Sequence, residues 1–337
     1  MRRGRFGPDT GVMIVGARQP STATMRAALH ESWGSALEIG EVPRPEPAAG
    51  EVRIAVRATS VNPIDMHLGR GAGYEQSMRL PCIPGWDVAG VVDAVGYGVS
   101  RYAFGDRLFG LAWFPYPAGT YAEYMTVPAY QLVPMPDSAS FAEAACLPMA
   151  TLTAWQMLDA AGVRAGRHVL ISGATGGVGH LAVQLAVARG ATVTALARPD
   201  SHAILHEFGA QSCVDYTDPV AVTGIGKVDA AIDLVGGDFG RSLFDRVAPG
   251  GAIALATAWS ITGYRTVAAE RGIKAVSCLV EPDPEALRAI ASLVDAGRVR
   301  VSVGAEFDLS RAADAQQWVT GRRGFGKAAI TVSTQET

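Results

Sequence analysis

Two patterns of hydrophobic and polar residues follow one another along the chain. From Met25 to about Pro148, short β-rich runs alternate with turn residues, as in EVRIAVRATSV, DVAGVVDAVG, GDRLFGLAWF and AEYMTVPAYQLV. Runs rich in β-branched residues and bounded by turns are typical of strands. We therefore expect this part of the chain to be a mostly antiparallel β domain.

From about Met149 to Val280, near-continuous apolar runs alternate with helical segments. HVLISGA, ATVTALA, AIDLVGG and GAIALATA have the character of strands, and LAVQLAVARG between the first two has that of a helix. Apolar strands interleaved with helices belong to a parallel sheet that is covered on both faces. This segment is predicted to be a doubly wound α/β unit.

Beyond Val280 the chain returns to strands. A helix is predicted in EALRAIASLVDAGRV, ended by Gly297, and a second helix, RAADAQQWVTG, lies between the strands VSVGAEFDL and KAAITV. We expect these strands to complete the first domain. The predicted organisation is a leader over 1–24, a β-rich domain formed by 25–148 and 281–337, and an inserted α/β domain over 149–280.

Composition and charge narrow the class of protein. The 337 residues are 49% hydrophobic and 18% charged, which excludes a wholly disordered chain. A formal net charge of -3 gives no broad basic field, so nucleic acid is not an expected partner. Charge or proline interrupts every apolar stretch before about 18 residues, so no membrane span is predicted. We expect a soluble, cytoplasmic protein that acts on a small molecule.

The first 24 residues bear on targeting, and the cysteines bear on metal binding. MRRGRFGPDTGVMIVGARQPSTAT contains arginines and the short apolar piece GVMIVGA, which favours a disordered leader or an extended start, with a secretory signal as the alternative.

The cysteines form no C-x-x-C pair and have no histidine at ligand spacing. We therefore expect free thiols at Cys82, Cys146, Cys213 and Cys278, and no metal site.

The segment VLISGATGGVG, from Val169 to Gly179, carries the clearest chemical signal. A predicted strand ends there in a glycine-rich turn that opens a helix, so backbone N–H groups converge on a pyrophosphate. A purely structural turn is the alternative, but the strand before and the helix after it favour a dinucleotide site. The residues expected to contact the cofactor here are Ser172, Ala174, Thr175, Gly176, Gly177 and Val178.

The end of the next strand, ATVTALARPDS, indicates which dinucleotide is bound. A site selective for NADH usually has an acidic residue there to hold the ribose hydroxyls, whereas this chain has Ala197 followed by Arg198. An arginine forms charge-assisted hydrogen bonds to a 2′-phosphate. A solvated loop arginine is the alternative, and the sequence favours NADPH as cofactor.

Nearly the whole length from Met25 to Val332 resembles a quinone oxidoreductase within the medium-chain dehydrogenase/reductase superfamily. The motifs that carry this resemblance are VNPIDMHLG, PGWDVAGVVDAVG, FGDRLFG, GTYAEYMTVP, LTAWQ, SGATGGVGHLAVQLA, DLVGG and GKAAITV. The resemblance implies a GroES-like catalytic domain interrupted by a Rossmann domain, with the cofactor in the cleft between them, and usually a homodimer.

The chain departs from the zinc alcohol dehydrogenases of that superfamily. Asn62-Pro63 stands where they have a metal-binding cysteine, and Gly85-Trp86-Asp87 replaces their Gly-His-Glu motif. The cysteine-rich loop of their structural zinc is also missing. Without thiolate or imidazole ligands we expect no catalytic zinc.

The resemblance also assigns residues to the reaction. It implies that Asn62 lies beside the nicotinamide as a hydrogen-bond donor, with a turn asparagine as the alternative. Tyr74 lies near the position of the proton-donating tyrosine of related enoyl reductases, and an exposed loop tyrosine is an equally good interpretation. The aromatic loop from Leu111 to Pro117 corresponds to the lining of the family's substrate pocket, or to a dimer contact.

Further cofactor contacts are implied in the same way. Thr153 corresponds to a residue near the nicotinamide, unless it only caps a helix, and Tyr216 to one that stacks by the adenosine phosphate. Lys327 corresponds to a position facing the cofactor phosphate or the domain cleft, unless it is a solvated strand-end charge. Ser201, Val235 and Gly236 are also expected to contact the cofactor.

The expected function is NADPH-dependent hydride transfer, without a metal, to a quinone or to a C=C bond conjugated with a carbonyl group. An NADPH-binding sensor or structural protein with little turnover is the alternative from another class, and a biosynthetic tailoring enzyme on the same fold is a further one. There is no G-x-S-x-G elbow and no Ser-His-Asp pattern, so hydrolysis is not supported.

Overall fold

A computed structural model describes residues 23–71, 79–321 and 324–333. The strands are β1 (Thr24–Leu29), β2 (Glu38–Pro43), β3 (Glu51–Ser60), β4 (Asp87–Val95), β5 (Arg107–Leu111), β6 (Tyr124–Pro128), β7 (Leu132–Pro134), β8 (His168–Ile171), β9 (Thr192–Leu196), β10 (Ser212–Val214), β11 (Val228–Asp233), β12 (Val247–Leu255), β13 (Lys274–Ser277), β14 (Val303–Asp308) and β15 (Lys327–Thr331). The helices are α1 (Pro63–Gly69), α2 (Phe141–Ala145), α3 (Pro148–Ala160), α4 (Gly179–Ala188), α5 (His202–Glu207), α6 (Pro219–Thr223), α7 (Gly237–Leu243), α8 (Tyr264–Glu270), α9 (Pro284–Asp295) and α10 (Ala312–Thr320).

The middle of the chain forms a six-stranded parallel sheet in the order β10-β9-β8-β11-β12-β13. The chain winds outward from β8 in one direction and from β11 in the other. In doubly wound sheets, ligands bind in the crevice beyond the carboxyl ends of the two strands where the winding reverses. That crevice lies here after Ile171 and Asp233.

A seven-stranded sheet has the order β14-β15-β3-β4-β5-β7, with β6 also paired to β3. Strand β15, near the end of the chain, runs antiparallel to β3, with Ala329 opposite Ser60. Just beyond this pairing, the N–H of Val61 donates to the carbonyl oxygen of Ala328 at 3.0 Å. This register brings Lys327, the first residue of β15, to the end of β3.

One apolar core runs from the seven-stranded sheet into the parallel sheet. Trp86 and Phe109 belong to the same buried cluster as Leu152 of α3 and Ile171 of β8. Helix α3 buries residues on most of its circumference, because it lies between the two sheets. The packing therefore makes the nucleotide crevice and the β-rich domain neighbours.

The fold class predicted from the sequence is confirmed, with a β-rich unit and a doubly wound parallel sheet. Strand β1 begins at Thr24, inside the predicted leader, and residues 1–22 of that leader lie outside the described part of the chain. In 23–71, 79–321 and 324–333, no helix combines the length and the apolar character needed to span a bilayer.

Candidate functional site

The glycine-rich turn after β8 forms one wall of the crevice. A Cβ atom at Gly179 would overlap the carbonyl oxygen of Gly173 and lie 2.7 Å from the Cα of Ala174, so only glycine fits where α4 begins. The N–H groups of Gly177 and Val178 find no acceptor within the described residues. The turn thus offers free N–H groups at the N-terminus of α4, as a dinucleotide pyrophosphate requires.

The floor of the crevice is a hydrogen-bonded link between two strand ends. The hydroxyl of Ser172 donates to Oδ1 of Asp233 at 2.8 Å, and the N–H of Leu234 donates back to that hydroxyl at 3.0 Å. The same carboxylate accepts the N–H groups of Val235 at 3.1 Å and Gly236 at 3.2 Å. The Ser172 hydroxyl is therefore used in hydrogen bonds within the protein. Val235, which is 43% exposed, is the side chain at this strand end that a bound cofactor could contact.

Arg198 and Tyr216 lie together beyond the end of β9. The Nε of Arg198 donates to the Tyr216 hydroxyl at 3.1 Å, and the Tyr216 ring packs edge-on against Phe239. Two carboxylates that the sequence interpretation overlooked lie close by. Asp200 accepts a hydrogen bond from Ser201 at 2.9 Å, and Asp215 has a lowered pKa, chiefly because the hydroxyl and N–H of Thr217 donate to it and to a smaller extent because of Arg198.

A buried cluster of polar side chains lies where β3, β4 and β15 meet. Nδ2 of Asn62 donates to Oδ2 of Asp87 at 2.8 Å, and Ser60 donates to the same oxygen at 2.5 Å. Nζ of Lys327 donates to Oδ1 of Asn62 at 2.6 Å and to the Val61 carbonyl at 3.3 Å, and it lies 3.7 Å from Oδ2 of Asp87. Asn62 and Lys327 are each only 4% exposed.

Local structure also fixes Asn62 at the start of α1. Asn62 is the N-cap residue of this helix and shares a capping box with Asp65, in which its side chain faces the N–H of Asp65. Asp65 in return accepts the Asn62 N–H at 2.8 Å. On the other side, Oδ1 of Asp87 accepts the N–H of Met149, in the first turn of α3, at 2.7 Å. Asp87 thereby ties the β-rich unit to the helix that leads into the parallel sheet.

Asp65 is a second buried acid beneath this cluster. Burial raises the pKa of its carboxyl group to about 7, and hydrogen bonds from the Asn62 N–H and the Tyr121 hydroxyl only partly oppose that effect. Its Oδ1 atom has no partner among the described residues. A proton on Oδ1 leaves Oδ2 free to accept both hydrogen bonds, from Asn62 and from Tyr121 at 2.9 Å.

His180 connects α4 to the returning C-terminal segment. The N–H of Ser302 donates to Nε2 of His180 at 3.1 Å, so the ring proton is on Nδ1, which donates to the Gly176 carbonyl at 2.9 Å. Burial lowers the pKa of His180 to about 4, which keeps the ring neutral. One turn on, Gln184 exchanges two hydrogen bonds of 2.9 Å with the backbone of Arg300. No role for His180 was predicted from the sequence.

Other predicted residues have more local roles. The Thr153 hydroxyl donates to the Met149 carbonyl at 2.6 Å, within α3. In the aromatic loop, Phe114 packs edge-on against Trp86 at 5.4 Å between ring centroids, and the Trp113 indole donates to the Thr126 carbonyl. Tyr74 lies outside the described residues.

The cysteine prediction is confirmed, since all four thiols are free. Burial raises the pKa of Cys146 to about 12, so this thiol is unreactive at neutral pH. Within the described ranges, no group of three or more His, Cys, Asp or Glu side chains is arranged to hold a metal ion.

Comparison with known proteins places this architecture in a family. Residues 48–137 match the alcohol dehydrogenase GroES-like domain, and residues 208–330 match the zinc-binding dehydrogenase family. The chloroplast envelope quinone oxidoreductase homolog of Arabidopsis thaliana is 31% identical, over 91% of this chain and 98% of that protein. The 2-methylene-furan-3-one reductase of Solanum lycopersicum is also 31% identical, over 91% of this chain and 79% of that protein. A solved quinone oxidoreductase from Coxiella burnetii superimposes with a TM-score of 0.86 at 34% identity, covering 92% of this chain and all of that one.

The chain therefore belongs to the medium-chain dehydrogenase/reductase superfamily, and its relatives are of the quinone oxidoreductase type, as the sequence motifs predicted. The protein is an oxidoreductase of that superfamily, whose members bind nicotinamide cofactors.

Proposed function

We propose that the protein is an NADPH-dependent reductase that transfers hydride, without a metal, to a quinone or to a C=C bond conjugated with a carbonyl group. The observation that carries this proposal is the Asn62 amide. One of its N–H groups is bound to Asp87, and the second has no acceptor among the described residues. Its oxygen accepts from Lys327, whose aliphatic stem lies against Gly177 of the glycine-rich turn. The named activities of the Arabidopsis and tomato relatives support the substrate class.

The cofactor would be held by the turn from Gly173 to Val178, with Val235 and Gly236 at the far side of the crevice and Thr153 near its mouth. Arg198, Ser201 and Tyr216 would take the adenosine 2′-phosphate. The absence of an acid at Ala197 supports NADPH, and the carboxylate of Asp215, which interacts electrostatically with Arg198, would oppose binding of the 2′-phosphate. When bound, NADPH supplies the hydride.

The chain's own residues would manage the charge and the proton. Asn62 would donate its second N–H to the carbonyl oxygen that becomes negative as the conjugated bond is reduced, and a preorganised donor of this kind stabilises the transition state more than the ground state. Tyr74 remains the proposed proton donor. The hydrogen bonds that Asp87 accepts from Ser60, Asn62 and Met149 hold its carboxylate in the protein scaffold, which supports a reaction without zinc.

The proposal is tested by steady-state kinetics with NADPH and a panel of quinones, enones and enoyl thioesters. We expect turnover of one of these classes, and we expect Asn62→Ala to lower kcat by about 10²- to 10³-fold, the usual effect of removing an oxyanion donor. Tight NADPH binding without turnover of any substrate would instead indicate a sensor or structural protein. The homodimer, the cytoplasmic location and the division into domains at residues 148 and 280 stay predictions.

A further inference from the structure

The ammonium group of Lys327 is buried against other side chains, where it could contribute little to binding a cofactor phosphate. Its Nζ contacts Asn62 Oδ1 at 2.6 Å and the Val61 carbonyl at 3.3 Å, and the residue is 4% exposed. The part of Lys327 that faces the glycine-rich turn is its aliphatic stem, since a Cβ at Gly177 would lie 3.0 Å from the Lys327 Cγ. The charge is therefore directed at the Asn62 amide.

We propose that Lys327 is a positioning residue, which together with Asp87 fixes the Asn62 amide so that it presents an N–H, and not its carbonyl oxygen, to the substrate. This inference rests on the proposed function and names a selectivity of the same site. Such a site favours substrates whose reacting oxygen gains negative charge, as in conjugated carbonyl compounds and quinones.

The amide group of an asparagine side chain is nearly symmetric in shape. A half-turn of the Asn62 side chain exchanges O and NH₂ with little change in shape, so shape alone does not choose between the two orientations. In the observed orientation the oxygen meets a cation and the nitrogen meets an anion, at 2.6 and 2.8 Å. In the reversed orientation, NH₂ would face the Lys327 ammonium and the carbonyl oxygen would face the Asp87 carboxylate. Both contacts would be repulsive, and burial strengthens them.

The backbone holds Lys327 in this position. Its N–H donates to the Ser302 carbonyl at 2.9 Å, and the preceding Gly326 donates to the Thr175 carbonyl in the glycine-rich turn at 3.1 Å. His180 in turn binds the N–H of Ser302. The strand end that carries the lysine is thus fixed to the glycine-rich turn and, through Ser302 and His180, to α4, which suits a residue that must orient another side chain.

A double-mutant cycle on kcat tests whether Lys327 acts through Asn62. We expect Lys327→Met to lower kcat at least about tenfold in the wild-type background and less than about twofold in the Asn62→Ala background, because the group it orients is then absent. The dissociation constant of NADPH in Lys327→Met, measured by fluorescence titration, should stay within about twofold of wild type. If Lys327 bound a phosphate group of the cofactor, its loss would instead weaken NADPH binding. Lys227→Met is the matched control, since Lys227 lies next to β11 at the end of the sheet away from the crevice and binds only the Asp245 and Val247 carbonyls among the described residues.

Loss of Lys327 leaves the buried Asp87 carboxylate without its cation, which can prevent folding. The variant Lys327→Met/Asp87→Asn removes both charges, and we expect it to fold and to show the same low kcat with NADPH binding retained. Equal losses of kcat in both backgrounds, or a tenfold weaker NADPH affinity with kcat unchanged, would overturn the positioning role alone. Absence of turnover by the wild-type protein with every substrate would overturn the proposed function itself.

Discussion

Asp65 makes the stability of the protein depend on pH in a direction opposite to that of carboxylates stabilised by ion pairs or hydrogen bonds. Its pKa is about 7 in the folded protein against 3.8 for the ordinary side chain, mainly because burial disfavours the charged form. A folded-state pKa above the unfolded value means that the folded protein holds the proton more tightly. This contribution to stability is therefore fully present below pH 3.8 and is lost as the pH rises through 7.

The size of the effect follows from the shift in pKa. Between pH 6 and pH 8.5, a group with these two pKa values loses about 1.5 kcal/mol of its contribution to the free energy of unfolding. Asp65→Asn removes the titration and keeps a carbonyl oxygen that can accept from the Asn62 N–H or the Tyr121 hydroxyl. We expect the free energy of unfolding of wild type, relative to that of Asp65→Asn, to fall by that amount across this range.

Urea unfolding followed by circular dichroism, at several pH values from 6 to 8.5, measures this difference. Subtracting the free energy of unfolding of the variant from that of wild type at each pH removes the contribution of every other group that titrates in both proteins, His180 included. A difference that stays constant with pH would refute the reasoning, because it would mean that Asp65 does not change its charge in this range. Hydrogen bonding that outweighed burial at this carboxyl group would give the same constant difference, because Asp65 would then be deprotonated in both states above pH 6.

Three further predictions concern the crevice. His180 has a pKa lowered to about 4, so its neutral ring contributes stability that is present above pH 6.5 and lost as the pH falls through 4. The free energy of unfolding of wild type, measured with urea, should therefore fall between pH 7 and 4.5 by about 2–3 kcal/mol more than that of His180→Asn. Gly179→Ala should lower the free energy of unfolding by at least about 2 kcal/mol, because the new Cβ would overlap Gly173. Gly226→Ala is the control in the same thermal unfolding experiment: its Cβ meets nothing within 4 Å, so its free energy of unfolding should stay within about 0.5 kcal/mol of wild type. Arg198→Ala should weaken NADPH binding about tenfold and NADH binding less than twofold in fluorescence titrations, and equal weakening of both would contradict a contact with the 2′-phosphate.

The fold was predictable because strand and helix periodicities and turn residues agree along most of the chain. The run from HVLISGA to LAVQLAVARG, for example, becomes β8, the glycine-rich turn and α4. Such patterns identify elements locally, and the number and order of apolar strands indicate a doubly wound sheet. The family motifs then indicated how the β-rich parts belong together.

The buried cluster was not predictable in the same way. Asn62 and Lys327 are 265 positions apart, and they meet only because β15 pairs with β3 in one register. A sequence pattern shows that a strand exists but not which residue lies opposite which. Asp87 was noted only as a departure from a metal-binding motif, and Asp65 was not considered. His180 and Gln184 did leave a signal, since two polar residues four positions apart in an apolar helix share one face, and buried polar side chains need partners.

The most direct test of hydride transfer is the fate of deuterium from NADPH labelled at the C4 position of its nicotinamide. Wild-type protein is incubated with the labelled cofactor and an enone, and the product is examined by mass spectrometry and NMR. We expect one deuterium at the carbon β to the carbonyl group when the transferred face of the cofactor is labelled, and a much slower rate for Asn62→Ala. Reduced enone that carries no deuterium from either labelled face, or no reduction of enones and no NADPH oxidation with quinones, would contradict it.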